Sequence, residues 1–255
     1  MKKASWKFGV LVVPFLILAG LFLLLACSKS DKSGNDGEAE KGYVTGSVTD
    51  TKGNPLPGAA LVIDNTLIYN SNLLTTSNNE GKYKVKLSGA FTWVATASFE
   101  KNYNGKKYTF KLHPETDEAF TSDGGVRNFS WKLSGQRPES ASAFYGAYIQ
   151  LQSTIGSAIL AEDVDFTLTP SGPLVDGSNG VAITKRGGAP RTDAYFKLMD
   201  IPLGRYILTA RYQGQDLQLK NLMTNESGKT LTLNFEPRID LAGAYCSNCA
   251  LIEYD

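Results

Sequence analysis

Cys246-Ser247-Asn248-Cys249 is the one place in this sequence where residue types and spacing invite covalent chemistry. A Cys-x-x-Cys pair serves as a redox centre when it opens a helix inside a βαβ unit, where a lowered thiol pKa arms the first sulfur. Here the pair follows Ala242-Gly243-Ala244-Tyr245 close to the end of the chain, with no such unit around it. A zinc site would need two further ligands, and only His113 offers a ring nitrogen. The spacing therefore predicts either a small disulfide loop through Cys246 and Cys249 or two free thiols.

The other candidates are carboxylates and that single imidazole. Glu162, Asp163 and Asp165 form the densest acidic group. Paired carboxylates hydrolyse glycosides, and with backbone oxygens they bind calcium. Placed where a strand is about to begin at Val164, they read first as a solvated loop. Asp176-Gly177-Ser178-Asn179-Gly180 matches the start of a calcium loop but lacks the acidic residue that closes one, so it reads as a turn. A serine triad needs a histidine base. His113 precedes Pro114 at a strand end, has no triad-like surroundings, and reads as a surface residue. Gly124-Gly125 and Gly187-Gly188 lack the spacing and following helix of a phosphate-binding loop. The sequence predicts no catalytic residues, no metal and no cofactor.

The third cysteine decides where all this is held. Met1-Lys2-Lys3 and Lys7 make a basic head, and Phe8 to Ala26 carries no charge. This is the layout of a secretory signal peptide. Its end, Leu24-Leu25-Ala26-Cys27, resembles the lipobox of bacterial lipoproteins. The resemblance implies cleavage before Cys27, a diacylglyceryl group on its sulfur and an acyl chain on the new amino end. Several chains hold firmly, since each buried CH₂ is worth roughly 0.8 kcal/mol. Cys27 is thus the expected lipid-attachment residue and membrane lipid the expected first partner. Ser28 in place of an aspartate favours the outer membrane, on a face the sequence does not specify. Such an oxidising envelope permits a bond between Cys246 and Cys249, and the sequence leaves open whether they are bonded.

Removing the segment before Cys27 takes away Lys2, Lys3 and Lys7, leaving 23 basic residues against 25 acidic ones. That near-balance gives no footprint for nucleic acid. Residues 27–42 are polar and charged and read as a flexible tether, whose ends would average about 20 Å apart.

Beyond the tether the chain reads as strands and turns. Tyr43 to Asp50 alternates, Asp50 to Gly58 turns, and Ala59 to Ile63 resumes as a strand. After the turn Asn78-Asn79-Glu80-Gly81, the residues Tyr83, Val85 and Leu87 alternate with lysines, giving one wet and one buried face. Further strands are expected at Phe91 to Phe99, Lys107 to Leu112 and Arg127 to Leu133, with their aromatic residues in the core. Gly46-x-Val48-x-Asp50-x-x-Gly53-x-Pro55-Leu56-Pro57-Gly58-Ala59, with Ser77 to Tyr83, resembles the carboxypeptidase regulatory-like domain, a transthyretin-like sandwich. The catalytic partners of that domain use two histidines and a glutamate on zinc, and a single histidine excludes such a site here. Transthyretin-like hydrolases also use several histidines.

Ser134 to Ser142 reads as a linker. Strands follow at Tyr148 to Gln152, Val164 to Thr169, Tyr195 to Leu198, Arg205 to Tyr212, Asp216 to Lys220 and Thr230 to Phe235. Pro202-Leu203-Gly204-Arg205-Tyr206-Ile207-Leu208-Thr209-Ala210 resembles a strand opening common in transthyretin-like and immunoglobulin-like sandwiches. The expectation is all-β: a signal peptide over 1–26, a tether over 27–42, and two tandem Greek-key sandwiches over 43–134 and 143–240. A tail carrying the cysteine pair would occupy 241–255. The expected role is a non-catalytic, lipid-anchored binding or spacer module. Its partner would be an envelope protein or an extracellular glycan or peptide. The alternative is a carbohydrate-binding or carbohydrate-processing lipoprotein using Glu162, Asp163 and exposed tyrosines such as Tyr103, Tyr145 and Tyr212. A thiol-disulfide protein is a third reading.

Overall fold

The structure, a computed structural model, describes residues 40–241 and 244–255. The expectations for the signal peptide, for Cys27 and for nearly all of the tether lie outside the described residues. Among the described residues no helix is long and apolar enough to cross a membrane. The fold is all-β and consists of two β-sandwiches.

The first sandwich opens with β1 (Tyr43–Thr49), β2 (Ala60–Asn65), β3 (Asn72–Thr76) and β4 (Lys82–Lys86). A long hairpin follows, β5 (Thr92–Tyr103) with β6 (Lys106–Lys111). Four short segments close it: β7 (His113–Pro114), β8 (Phe120–Thr121), β9 (Gly125–Val126) and β10 (Phe129–Ser130). One sheet runs β4-β1-β10-β7 with β9 also on β1, and the facing sheet runs β3-β2-β5-β6 with β8 on β5. The expected strand at Arg127 to Leu133 shrinks to β10. In β4 the lysines point to water and Tyr83 is buried, as its period-2 pattern requires. Gly46 is needed for close approach, since a Cβ there would run into the Arg127 carbonyl oxygen.

The second sandwich takes β11 (Ala147–Ser153), β12 (Asp165–Pro170), β13 (Ile183–Lys185), β14 (Lys197–Ile201) and β15 (Arg205–Tyr212). It continues with β16 (Gln215–Asp216), β17 (Leu219–Asn221), β18 (Ser227–Gly228), β19 (Thr230–Asn234), β20 (Glu236–Leu241) and β21 (Ala244–Tyr254). One sheet runs β14-β11-β21-β17-β18 with β20 on β21; the other runs β13-β12-β15-β16 with β19 on β15.

The expected C-terminal tail is corrected by β21. Its second half is a central strand, parallel to β11 from Tyr148↔Cys249 to Ser153↔Tyr254 and antiparallel to β17 on its other side. Ala250, Ile252 and Tyr254 alternate into the core and are buried. The physical reason is the pleat: a run only six residues long, with period 2, fills the gap beside the first strand of the sandwich. The first sandwich repeats the device, with β9 and β10 parallel to β1. Parallel neighbours come from distant parts of a chain and leave no local turn signal.

The supposed linker is a fixed strap. The Gly135 N–H donates to both carboxylate oxygens of Asp200, at 2.9 and 3.0 Å, and Gln136 bridges to Phe144. One contiguous buried cluster runs from Val44 in β1 to Tyr254 in β21, so the two sandwiches share a core. Tyr108 donates its hydroxyl proton to the Phe235 carbonyl at 2.7 Å, and Lys106 pairs with Glu236. Tyr103 donates to the Pro173 carbonyl at 2.8 Å and accepts the Arg205 N–H at 3.1 Å.

Candidate functional site

Where the sandwiches meet, they leave a cleft of about 570 Å³. Thr109 to Lys111 of β6 form one wall. The strap residues Arg137 and Ser142 to Tyr145 form the floor, while Tyr148, Lys197 and Met199 from β11 and β14 form the opposite wall. The rim is Tyr245, Ser247 and Asn248 of β21. A smaller apolar pocket of about 340 Å³ adjoins it across the strap, lined by Ala95, Ala97, Leu112, Phe129 and Pro138.

The floor is stiff. Arg137 donates from Nε to the Phe144 carbonyl at 2.9 Å and pairs through Nη1 with Glu139 at 3.2 Å. Lys111 lies 3.7 Å from the same carboxylate. The Lys197 ammonium donates to the Asp193 carbonyl at 3.1 Å, and among the described residues Glu139 is the one carboxylate paired with these three cations. Tyr145 stands edge-on to His113, whose Nδ1 lies 2.9 Å from its hydroxyl. Burial pushes the Tyr145 hydroxyl up to about 12, with Glu139 adding and Arg137 opposing. Burial, helped by Lys132, holds His113 below its ordinary value. One hydrogen bond therefore joins the ring nitrogen and the phenol, its direction set by the imidazole tautomer. Burial also raises Tyr148. The cleft thus offers aromatic surfaces framed by positive charge, which suits a ligand with an anionic group beside a flat apolar face.

The sequence-selected residues fall around this cleft unevenly. Asn248 and Ser247, inside the Cys-x-x-Cys motif, line it, while both cysteines turn inward and are buried. Their sulfurs are joined as a disulfide with Cα atoms 6.1 Å apart. In an ordinary strand residues i and i+3 stand about 10 Å apart, too far for a disulfide. Asn248 resolves this by taking a left-handed backbone conformation, φ +52°, which asparagine tolerates better than most residues. The kink falls where β21 passes from its hairpin with β20 into the main sheet.

The acidic group does not assemble into a site. Asp165 is paired with Arg186 at 2.6 Å, and Ala161–Asp163 forms a 3-10 turn. Among the described residues no cluster of three metal-ligating side chains occurs. Asp176 accepts from Ser178 and, across the sandwiches, from Thr51 at 2.7 Å, so it caps a turn. Two of the tyrosines expected to be exposed are otherwise engaged: Tyr145 is buried and Tyr103 is bonded across the interface. His113, expected at the surface, is half-buried against Tyr145. Sequence reasoning missed Lys111, Arg137, Lys197 and Tyr148, because four separate elements bring them together and no local spacing marks them.

Comparison with family models and with curated proteins returns no match. Among solved structures the chain is similar to the Bacillus anthracis TIE protein, at 11% identity and TM-score 0.31, over 84% of this chain and 33% of that one. It is similar to a streptococcal ancillary pilin at 10% identity and TM-score 0.26, over 86% and 63%. A B repeat unit of the collagen-binding surface protein of Staphylococcus aureus is similar at 9% identity and TM-score 0.23, over 85% and 98%. The chain spans about a third of the first of these proteins and under two-thirds of the second. Scores this low leave the fold resting on the sheets themselves.

Proposed function

We propose that this chain is a lipid-anchored protein of the bacterial cell envelope, attached at the outer membrane through an acylated Cys27, whose paired sandwiches form a non-catalytic binding module. The observation that carries the reading is the cleft, in which Lys111, Arg137 and Lys197 surround Tyr145, Tyr148 and Tyr245. Its floor is fixed by hydrogen bonds and by a shared core, so a ligand meets a preformed surface and little ordering opposes binding. The ligand class that fits is an acidic peptide or an acidic glycan, presented by the envelope or its surroundings. The resemblance to the carboxypeptidase regulatory-like domain supports the same reading, since that domain is an accessory unit and not itself a catalyst.

The test is titration of the purified chain with acidic and neutral peptides and oligosaccharides, alongside Lys197→Glu and Tyr245→Ala. Lys229→Glu, exposed on another part of the second sandwich, is the control. The expected result is acidic-ligand binding that weakens with salt, falls at least tenfold on reversing Lys197, and survives in the control. Binding that ignores Lys197 and Tyr245 refutes the cleft as the site, and no binding at all refutes the binding module and leaves a spacer.

A further inference from the structure

Three consecutive bulky apolar side chains project from the first sandwich at the connection between β2 and β3. Leu67 is 72% exposed, Ile68 45% and Tyr69 100%. Leu74 on the neighbouring edge strand β3 is also exposed. The segment is held in place from beneath. The Asn65 side-chain oxygen, buried at the end of β2, accepts the backbone N–H groups of Leu67 and Ile68 at 2.9 and 3.1 Å. The Thr66 N–H and hydroxyl both donate to the Thr92 carbonyl at 3.0 Å. A loop that merely connected strands would need no such apolar crown, because polar residues satisfy water better there.

A chain of hydrogen bonds shows which end of the molecule this is. Thr66 is bonded to Thr92, Phe91 to Ser122, and Gly42 to Asp123 and Leu87. Gly42 is the point where residues 27–42 join β1. The apolar crown and the chain leading back to Cys27 therefore share one end of the first sandwich. The second sandwich meets the first toward the other end, reached by the tip of the β5–β6 hairpin through Tyr103 and Lys106, and the cleft opens between that tip and the middle of β5, beside Thr109 to Lys111. The 12 residues of β5 span that distance, about 35 Å.

We infer that Leu67, Ile68 and Tyr69 insert into the lipid surface to which the chain is tethered, so that the first sandwich stands on the bilayer and holds the cleft outward. The inference rests on the lipid-anchor reading for its geometry. Two apolar tips with a tyrosine beside them match the boundary between headgroups and acyl chains. A tether about 20 Å in mean span would hold the first sandwich close to the lipid, which raises the effective concentration for insertion.

The experiment places an environment-sensitive fluorophore on a Tyr69→Cys variant of the full lipidated chain. This is reconstituted into phosphatidylethanolamine–phosphatidylglycerol vesicles with or without brominated acyl chains. The expected result is a blue-shifted label quenched by lipid bromine and shielded from aqueous iodide. A label at Leu74→Cys in a chain carrying Leu67→Ser, Ile68→Ser and Tyr69→Ser should lose that quenching while the same label in the otherwise native loop keeps it. An acylated chain whose position 69 is quenched by iodide and not by bromine overturns the inference and leaves the anchor intact. Protection that rises with protein density and ignores bromine signals contact with a second copy, and also overturns it. If mass measurement finds Cys27 unmodified, the anchor reading fails separately. Bromine quenching on adding vesicles to that chain would then still uphold the loop insertion, and its absence would refute it.

Discussion

Ile252→Ala tests whether the end of the chain is core and whether the two sandwiches act as one. Ile252 is fully buried in β21, between Leu151 of β11 and Asn221 of β17. Cutting a buried isoleucine to alanine removes three carbons and leaves a cavity, at a cost of 2–5 kcal/mol, here about 3 kcal/mol. With a urea dependence of roughly 3 kcal/mol per M for a chain of this size, the midpoint should fall by about 1 M. Trp93 and Trp131 are the only tryptophans after Cys27, and both lie in the first sandwich. Their fluorescence therefore reports unfolding of the half that does not contain the substitution, while far-UV circular dichroism reports the whole. Because one buried cluster joins the halves, both signals should shift together by the same amount. No shift in either signal refutes the placement of β21 in the core. A shift in dichroism with unmoved fluorescence refutes the shared core and makes the sandwiches independent domains.

Tyr103→Phe deletes two hydrogen bonds between the sandwiches and should lower stability by about 1–2 kcal/mol, measured by the same denaturation. Asn248→Val places a β-branched residue in a left-handed conformation, so it should lower stability by about 1–3 kcal/mol, whereas Asn248→Gly should be nearly neutral; thermal unfolding distinguishes them. Burial raises Tyr108, Tyr145, Tyr206 and Tyr254 to about 12 from an ordinary value of 10. A raised folded-state value means stability is fully present below pH 10 and is lost as pH rises from 10 toward 12. These phenols should ionise only as the fold melts, seen as a steep late rise in tyrosinate absorbance coincident with loss of dichroism; gradual ionisation in a folded chain would contradict their burial.

The sheet-forming segments were readable wherever they alternated cleanly and ended in turn residues. Lys82 to Lys86 and Arg205 to Tyr212 carry that pattern, and both are strands. Segments without it were missed: Asn72-Leu73-Leu74-Thr75-Thr76 is an edge strand whose Leu74 points to water, which breaks the rule that apolar residues mark the inner face. Cys246 to Tyr254 looked like a tail because its partner, β11, is about a hundred residues away and pairs in parallel, a relation no local turn announces. Ser134 to Ser142 reads as a linker because it is polar, but Asp200, Ala143 and Tyr145 satisfy its backbone. The cleft was not legible for the same reason. Its cations are ordinary solvated residues in sequence, and only the packing of one sandwich against the other gathers them. The sequence leaves the state of Cys246 and Cys249 open, and nothing in it marks the kink at Asn248 that lets a strand hold their bond.

The most direct test of the account is the mass of the N-terminal peptide from the chain extracted from bacterial membranes. The expected result is a mature protein beginning at Cys27, carrying a diacylglyceryl group on sulfur and an acyl chain on the amino end, with Cys27→Ser releasing it from the membrane fraction. A chain still beginning at Met1, or an unmodified Cys27 on a protein that stays in the membrane, would contradict it.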